Sequence, residues 1–272
     1  SVSASAFIIV FFILFFFCLY IGLLFVTWIN KSFVGDLFCR LLSFCLPCGW
    51  QLFLDILGFS FFIQMLGRIG NLELAATNIV LSIESIAFLP VFGFHIGAST
   101  LVGQAVGQGQ PEEAVYATTS SLHIATAYMS IMMIIFVFLP EPLLDLFRNN
   151  RVDPILSAQI MDLGVILLRF VAIFCIFDAM NLVFSGALKG AGDTRFILWT
   201  TAMLSCVVMI IPVYFAVEVF KAGIYTAWVL VTFSVATLGV AFYMRYQHGR
   251  WKRMRVIEVA PIIREPLGSG PR

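Results

Sequence analysis

RFVAIFCIFDAMNLVFSGALKGAGDTR, residues 169–195, is the stretch on which the reading of this chain turns. It is apolar over a membrane-length run, and near its middle stands a bare carboxylate, Asp178. A helix rising about 1.5 Å per residue puts Asp178 about 13 to 14 Å from Arg169 and about 16 to 17 Å from Lys189, close to the midplane of a hydrocarbon core about 30 Å thick. An acid at that depth is costly and by default marks function.

Composition carries this reading outward to the whole chain. Hydrophobic residues make up 61% and charged residues 11%, and the mean hydropathy is +1.02, far from a soluble domain. Lipid offers no partners to open backbone groups, so repeated long apolar runs demand spanning helices and an all-α integral membrane protein. The alternation of a β-barrel is absent. A net charge of +1 points to neither nucleic acid nor an acidic partner. Six cysteines lie mostly inside apolar runs, where they read as small hydrophobes. Cys45-Leu46-Pro47-Cys48 has the spacing of a redox pair but sits within a span, and it reads as a proline kink among small residues. No catalytic set emerges: Ser-His-Asp and zinc spacings are missing, and the glycine-rich GQAVGQGQ at 103–110 lacks the Lys and Ser or Thr of a phosphate loop. An enzyme is therefore not expected, nor any cofactor beyond a coupling ion.

The apolar runs predict about seven spans, near residues 6–28, 37–66, 74–106, 114–139, 155–188, 196–219 and 224–246, with bends at Pro47 and Pro90 and a short amphipathic piece, LLDLF, between the fourth and fifth. The first run is too long for a signal-peptide core and lacks a basic start, and the chain has no initiator Met; the expectation is a true span in a fragment of a longer protein. Lys31, Arg40, Lys189, Arg195 and the cluster Arg245, Arg250, Lys252, Arg253 and Arg255 fall on one side, against Arg68, Arg148, Arg151 and Lys221 on the other. The positive-inside rule makes the first side cytoplasmic, together with the C-terminus, in a multi-pass protein of the plasma (inner) membrane. Tyr243, Tyr246 and Trp251 are expected at the interface, and 258–272 is expected to be disordered.

A second acid, Asp55, lies at similar depth in the span at 37–66. Cys48, Gln51, Asp55 and Gly58 share one helix face by three-four spacing; so do Asp178, Asn181 and Ser185, and so do Asn78, Ser82 and Ser85, with Glu84 about a quarter turn off that last stripe. Such stripes suit either a hydrated cavity whose acids take up H⁺ or Na⁺ (Asp55 and Asp178 as possible Na⁺ ligands) or plain helix-to-helix hydrogen bonding. His95 and His123 read as structural histidines, and Arg169 and Asp162 as helix-end residues.

The run LGRIGNLELAATNIVLSIESIAFLPVFGFHIGASTLVGQAVGQGQPEEA (66–114) and SGALKGAGDTRF (185–196) resemble the multidrug and toxic compound extrusion (MATE) family of cation-coupled exporters, NorM-like members of the MOP flippase superfamily, over about 33–246. The resemblance implies twelve spans in two six-helix lobes with both termini cytoplasmic. This chain would supply the last first-lobe helix with its linker (1–32), the six-helix second lobe (33–246) and a basic, then disordered tail (247–272). It also implies that Asp55 and Asp178 correspond to acids on the family's seventh and tenth helices, implicated in cation binding and substrate coupling. Asp55 is shorter than the Glu expected there, and Glu84 and His95 stand where neutral residues are expected.

The expected function is secondary antiport: H⁺ or Na⁺ inward, bulky organic cations outward, from a cavity shared with the missing N-terminal lobe and walled by aromatic residues, of which Phe alone numbers 29. The site residues expected to serve it are Asp55, Asp178, Gln51, Asn78, Asn181, Ser185 and Glu84, and the surrounding partner is the lipid bilayer. A lipid-linked oligosaccharide flippase of the same superfamily, which would want an Arg/Lys-rich cavity, and a seven-helix receptor, suggested by span number alone, are the alternatives.

Overall fold

The structure, a computed structural model, describes residues 35–147 and 154–253, with side chains described within 42–147 and 154–252. The span expected at 6–28 and most of the C-terminal tail lie outside the described residues. The chain divides into two compact units, Ser1–Leu46 and Pro47–Arg272, and the packing below concerns the second.

Among the described residues the architecture is all-helical. The long helices are α1 (Gly35–Ile69), α2 (Asn71–Gly107), α3 (Pro111–Phe138), α5 (Pro154–Gly190), α6 (Thr194–Val219) and α7 (Ile224–Gln247), with a short α4 (Pro140–Asp145) and a final 3₁₀ turn, Arg250–Arg253. Six of these helices are long and apolar enough to cross a membrane, and they answer to the six predicted spans beyond residue 32.

The boundaries follow local chemistry. Pro111 opens α3 with Glu112 and Glu113 in its first turn, where a fixed φ and negative charge suit a helix N-terminus. Arg68, Lys189 and Arg245 close α1, α5 and α7, the favourable end for positive charge. Pro47 and Pro90 lie inside helices that run on past them. The amphipathic connection forms its helix a few residues earlier than expected, because Pro140 starts it; Leu144 is then buried against Gly164 of α5.

Two features of α6 were not foreseen. Its α-helical turns give way to π-helical ones at Ser205–Ile210 and Phe215–Val219, and Pro212, which has no N–H to donate, sits between them. The missing donor frees an upstream carbonyl, and the wider π turns redistribute the hydrogen bonds that remain.

The central element is α5, against which α2, α3 and α7 all pack. Lipid is as apolar as leucine, so close approach rather than water exclusion must hold these helices together. Small residues provide it. A Cβ on Gly186 would stand 2.5 Å from the His95 carbonyl oxygen of α2, and one on Gly190 would collide with the Ser99 carbonyl. Gly239 does the same for α7, lying against the backbone at Phe177 and Asn181. Leu167, Leu168, Val171, Ala172, Cys175 and Ala179 are fully buried in one core cluster, and Phe184, Ala187 and Leu188 in a second.

That second cluster holds a correction. Trp251, expected at the lipid interface, is only 1% exposed: the chain turns back after α7 and inserts the indole into the bundle. Its Nε1–H donates to the Tyr246 carbonyl at 2.9 Å, and its ring stacks on Tyr246 at 5.0 Å. Tyr246 in turn meets Phe184 of α5. Aromatic contacts at this range contribute beyond area burial, and here they hold the ring against the bundle.

Candidate functional site

Asp178 lies midway along α5, the most enclosed helix, and is 6% exposed. Its Oδ2 is buried with no hydrogen-bond partner. The charged side chain acting on it comes from α2 and is another acid, Glu84. Cys175, one turn back on α5, feels both carboxylates. Glu84 is half-buried and points into the bundle, whereas Asn78, Ser82 and Ser85 of the neighbouring stripe are exposed. The Ser82 and Ser85 hydroxyls donate back to the Asn78 and Leu81 carbonyls at 2.7 Å each. On α2 it is therefore the residue off the stripe that is half-buried, and the stripe itself is exposed in this chain.

Asp55 keeps different company. Gln51, buried one turn before it, donates Nε2–H to Asp55 Oδ2 at 2.9 Å, while the amide oxygen of Gln51 is buried without a partner. The same face of α1 continues into the bundle: Gly58 abuts Met209 of α6, and Phe62 meets Trp228 of α7 edge-on at 5.7 Å. The charged neighbour of Asp55 is Lys189, from the last turn of α5, which also acts on Cys48 and on His95. In the sequence Lys189 counts only toward the positive charge on one side of the membrane; its neighbours across α1 and α2 come from tertiary packing that no spacing along one helix reveals.

His95 carries out the structural role expected of it. Buried at the α2–α5 contact, its Nδ1 lies 2.7 Å from the Leu182 carbonyl and 3.4 Å from Ser185 Oγ, and its ring stacks on Phe92. Ser185 also donates to the Leu182 carbonyl at 3.1 Å, so Ser185 belongs to this helix-bridging knot. Asn181 is half-buried near α7. His123 is exposed on α3, and Asp162 and Arg169 are exposed on α5. Among the described residues no group of three or more His, Cys, Asp or Glu side chains is arranged to hold a metal ion.

At the end of the bundle where α5 stops, Asp193 and Arg245 form a pair that the sequence did not announce. Arg245 Nε donates to Asp193 Oδ2 at 2.7 Å, with side chains 16% and 7% exposed, and the guanidinium lies over the Phe196 ring, 4.4 Å from its centroid. At the opposite end of the same bundle Arg68 pairs with Glu218, which Lys221 also approaches.

Six membrane-length helices, three of them packed along a fourth that carries an acid with an unpartnered oxygen at mid-length, define a multi-pass membrane protein with polar chemistry buried inside its spans. Within that class the chain belongs to the MatE family, whose sequence profile matches residues 47–215. It is 35% identical over 133 residues to the probable multidrug resistance protein NorM of Brucella suis, covering 49% of this chain and 28% of that protein. To the probable NorM of Thermotoga maritima it is 26% identical over 221 residues, covering 78% and 44%. In fold it is similar to a MOP superfamily transporter from Pyrococcus furiosus, described as having a binding pocket of reverse polarity (TM-score 0.71, 16% identity, 83% of this chain and 48% of that one). The chain thus spans less than half the length of the relatives it matches. The family is one of membrane transporters, not enzymes.

Proposed function

We propose that this chain is the second lobe of a secondary active exporter, which moves bulky organic cations out of the cell in exchange for inward H⁺ or Na⁺. The single observation that carries the reading is Asp178: a carboxylate on the central helix, 6% exposed, with an oxygen left unpartnered. An acid is kept in such a place where it exchanges cations during a cycle. The NorM-named relatives support drug efflux as the purpose, and their greater length supports a second lobe forming the other wall of the cavity. The basic end carrying Lys189, Arg195 and Arg245 would face the cytoplasm.

Of the alternatives, the flippase reading wants a basic cavity, and the described interior offers Asp55, Glu84 and Asp178 against Lys189. The receptor reading rested on span number and gives way to membership of a transporter family. The test is Asp178→Asn in the full-length protein expressed in a drug-sensitised host. Resistance to the lipophilic cation ethidium should be lost at unchanged membrane expression; resistance equal to wild type would refute the role.

A further inference from the structure

We propose that the first half of α6, together with the end of α7, seats a single anionic phospholipid, its headgroup phosphate held by Arg195 and Arg245 and an acyl chain lying along the outer face of α6. The inference stands apart from the export reading, because it concerns the wall of the bundle that meets the bilayer and not its buried acids.

Arg245 is held in place before any ligand arrives. Its Nε donates to Asp193 Oδ2 at 2.7 Å, and its guanidinium lies over the Phe196 ring, 4.4 Å from the centroid. Its two terminal amino groups have no hydrogen-bond partner among the described residues, and they are not sealed inside the bundle. An arginine immobilised in this way loses little rotamer freedom on taking further oxygens, and its planar fork matches the paired oxygens of a phosphate. Asp193 offsets one positive charge. The excess that attracts an anion comes from Arg195, exposed two residues further on and in no ion pair among the described residues.

Beyond Arg195, α6 presents the profile of a lipid in order. Trp199, Met203, Val207 and Ile211 follow at four-residue steps and are all exposed, whereas Ile197 and Thr201 are buried. A four-residue series drifts steadily round an uninterrupted α-helix; the wider π turn at Ser205–Ile210 takes back part of that drift and keeps the row open. One leaflet is about half of a core about 30 Å thick, which at about 1.5 Å per residue corresponds to about ten residues, the run from Trp199 to Met209. Trp199, 69% exposed, then stands at the edge of the hydrocarbon, where an indole is favoured. Arg195, one turn outside it, is at phosphate depth, and Met203 and Val207 lie against the chain.

The charge of the seat selects the headgroup. A zwitterionic lipid brings its own ammonium group and competes poorly for two arginines, while phosphatidylglycerol and cardiolipin bring only phosphate. His248, Arg250 and Lys252 are exposed at the same end of the bundle, and they attract anionic lipid without choosing a place for it. Lys252 is drawn toward the Trp251 ring instead, 5.8 Å from its centroid.

The experiment uses the full-length protein purified in detergent, titrated with dioleoyl-phosphatidylglycerol and followed by native mass spectrometry. Wild type should retain one such lipid and hold dioleoyl-phosphatidylcholine about tenfold less tightly, as expected when one charge-assisted hydrogen bond is lost. Arg195→Gln and Trp199→Ala should each weaken retention of phosphatidylglycerol while keeping the lipid-free melting temperature, since both side chains are exposed. Lys252→Gln removes the same charge at the same end and should bind as wild type. Equal losses in Arg195→Gln and Lys252→Gln, with Trp199→Ala unchanged, would overturn the seat and leave diffuse attraction alone. Inorganic phosphate that raises the melting temperature as much as phosphatidylglycerol would overturn the lipid as its occupant. In liposomes, phosphatidylglycerol with a diazirine in its acyl chain should label α6 between Trp199 and Ile211 on illumination; labelling confined to other helices would show that this face is covered and would overturn the proposal. Ethidium export is read separately, so loss of the seat leaves that reading untouched.

Discussion

Asp193 sits in the turn GAGDTR, where a sequence reader expects a helix cap. Its carboxylate makes no cap bond to α6 and instead holds Arg245, which also covers Phe196. Breaking a mostly buried pair by removing one partner leaves the other charge stranded, at a cost of roughly 3–5 kcal/mol. Asp193→Ala should therefore lower the melting temperature in detergent strongly, and Asp193→Ala with Arg245→Ala should cost much less than the two single changes added together. Strict additivity would show that the pair is not coupled. At the same scale the sequence made Asp178 conspicuous, because a lone acid in an apolar run needs no tertiary knowledge to stand out. It could not assign the neighbours. Lys189 reaches Asp55 from another helix, through helix rotations that depend on where Gly186, Gly190 and Gly239 let the helices touch, and the Asn78 face picked out by three-four spacing on α2 is exposed in this chain.

Each described span was legible at the level of elements, because each apolar run is closed by charge, glycine or proline, and these signals sit within a few residues of the observed ends. The π turns of α6 were not, since they reflect how a helix accommodates Pro212 among its neighbours rather than any motif. The α2–α5 contact makes an element-scale prediction. Gly190→Ala places a methyl against the Ser99 backbone, which cannot swing aside as a side chain would, and overpacking of this kind costs roughly 1–3 kcal/mol. The variant should express poorly or melt early, whereas Gly93→Ala, where a Cβ meets nothing within 4 Å, should behave as wild type by thermal melting in the same detergent. Equal behaviour of the two would mean that helix approach at Gly190 is not limiting.

For the whole molecule the open matter is direction. The proposed orientation puts the end of α7 in the cytoplasm, so a green fluorescent protein fused at the C-terminus should glow in intact cells and an alkaline phosphatase fused there should be inactive. The reverse pattern would invert the assignment and with it the direction of the proposed exchange.

Trp251 has one more consequence, for protein engineering. Its indole is buried in the cluster that Phe184 and Leu188 of α5 form with Leu238 and Phe242 of α7. A chain cut after Tyr246, where the hydropathy signal ends, would leave a hollow the size of a tryptophan under Phe184, at a cost of roughly 3–5 kcal/mol. A tag or cleavage site placed beyond Lys252 leaves that plug in its socket, and a purification handle placed at Gln247 pulls it out.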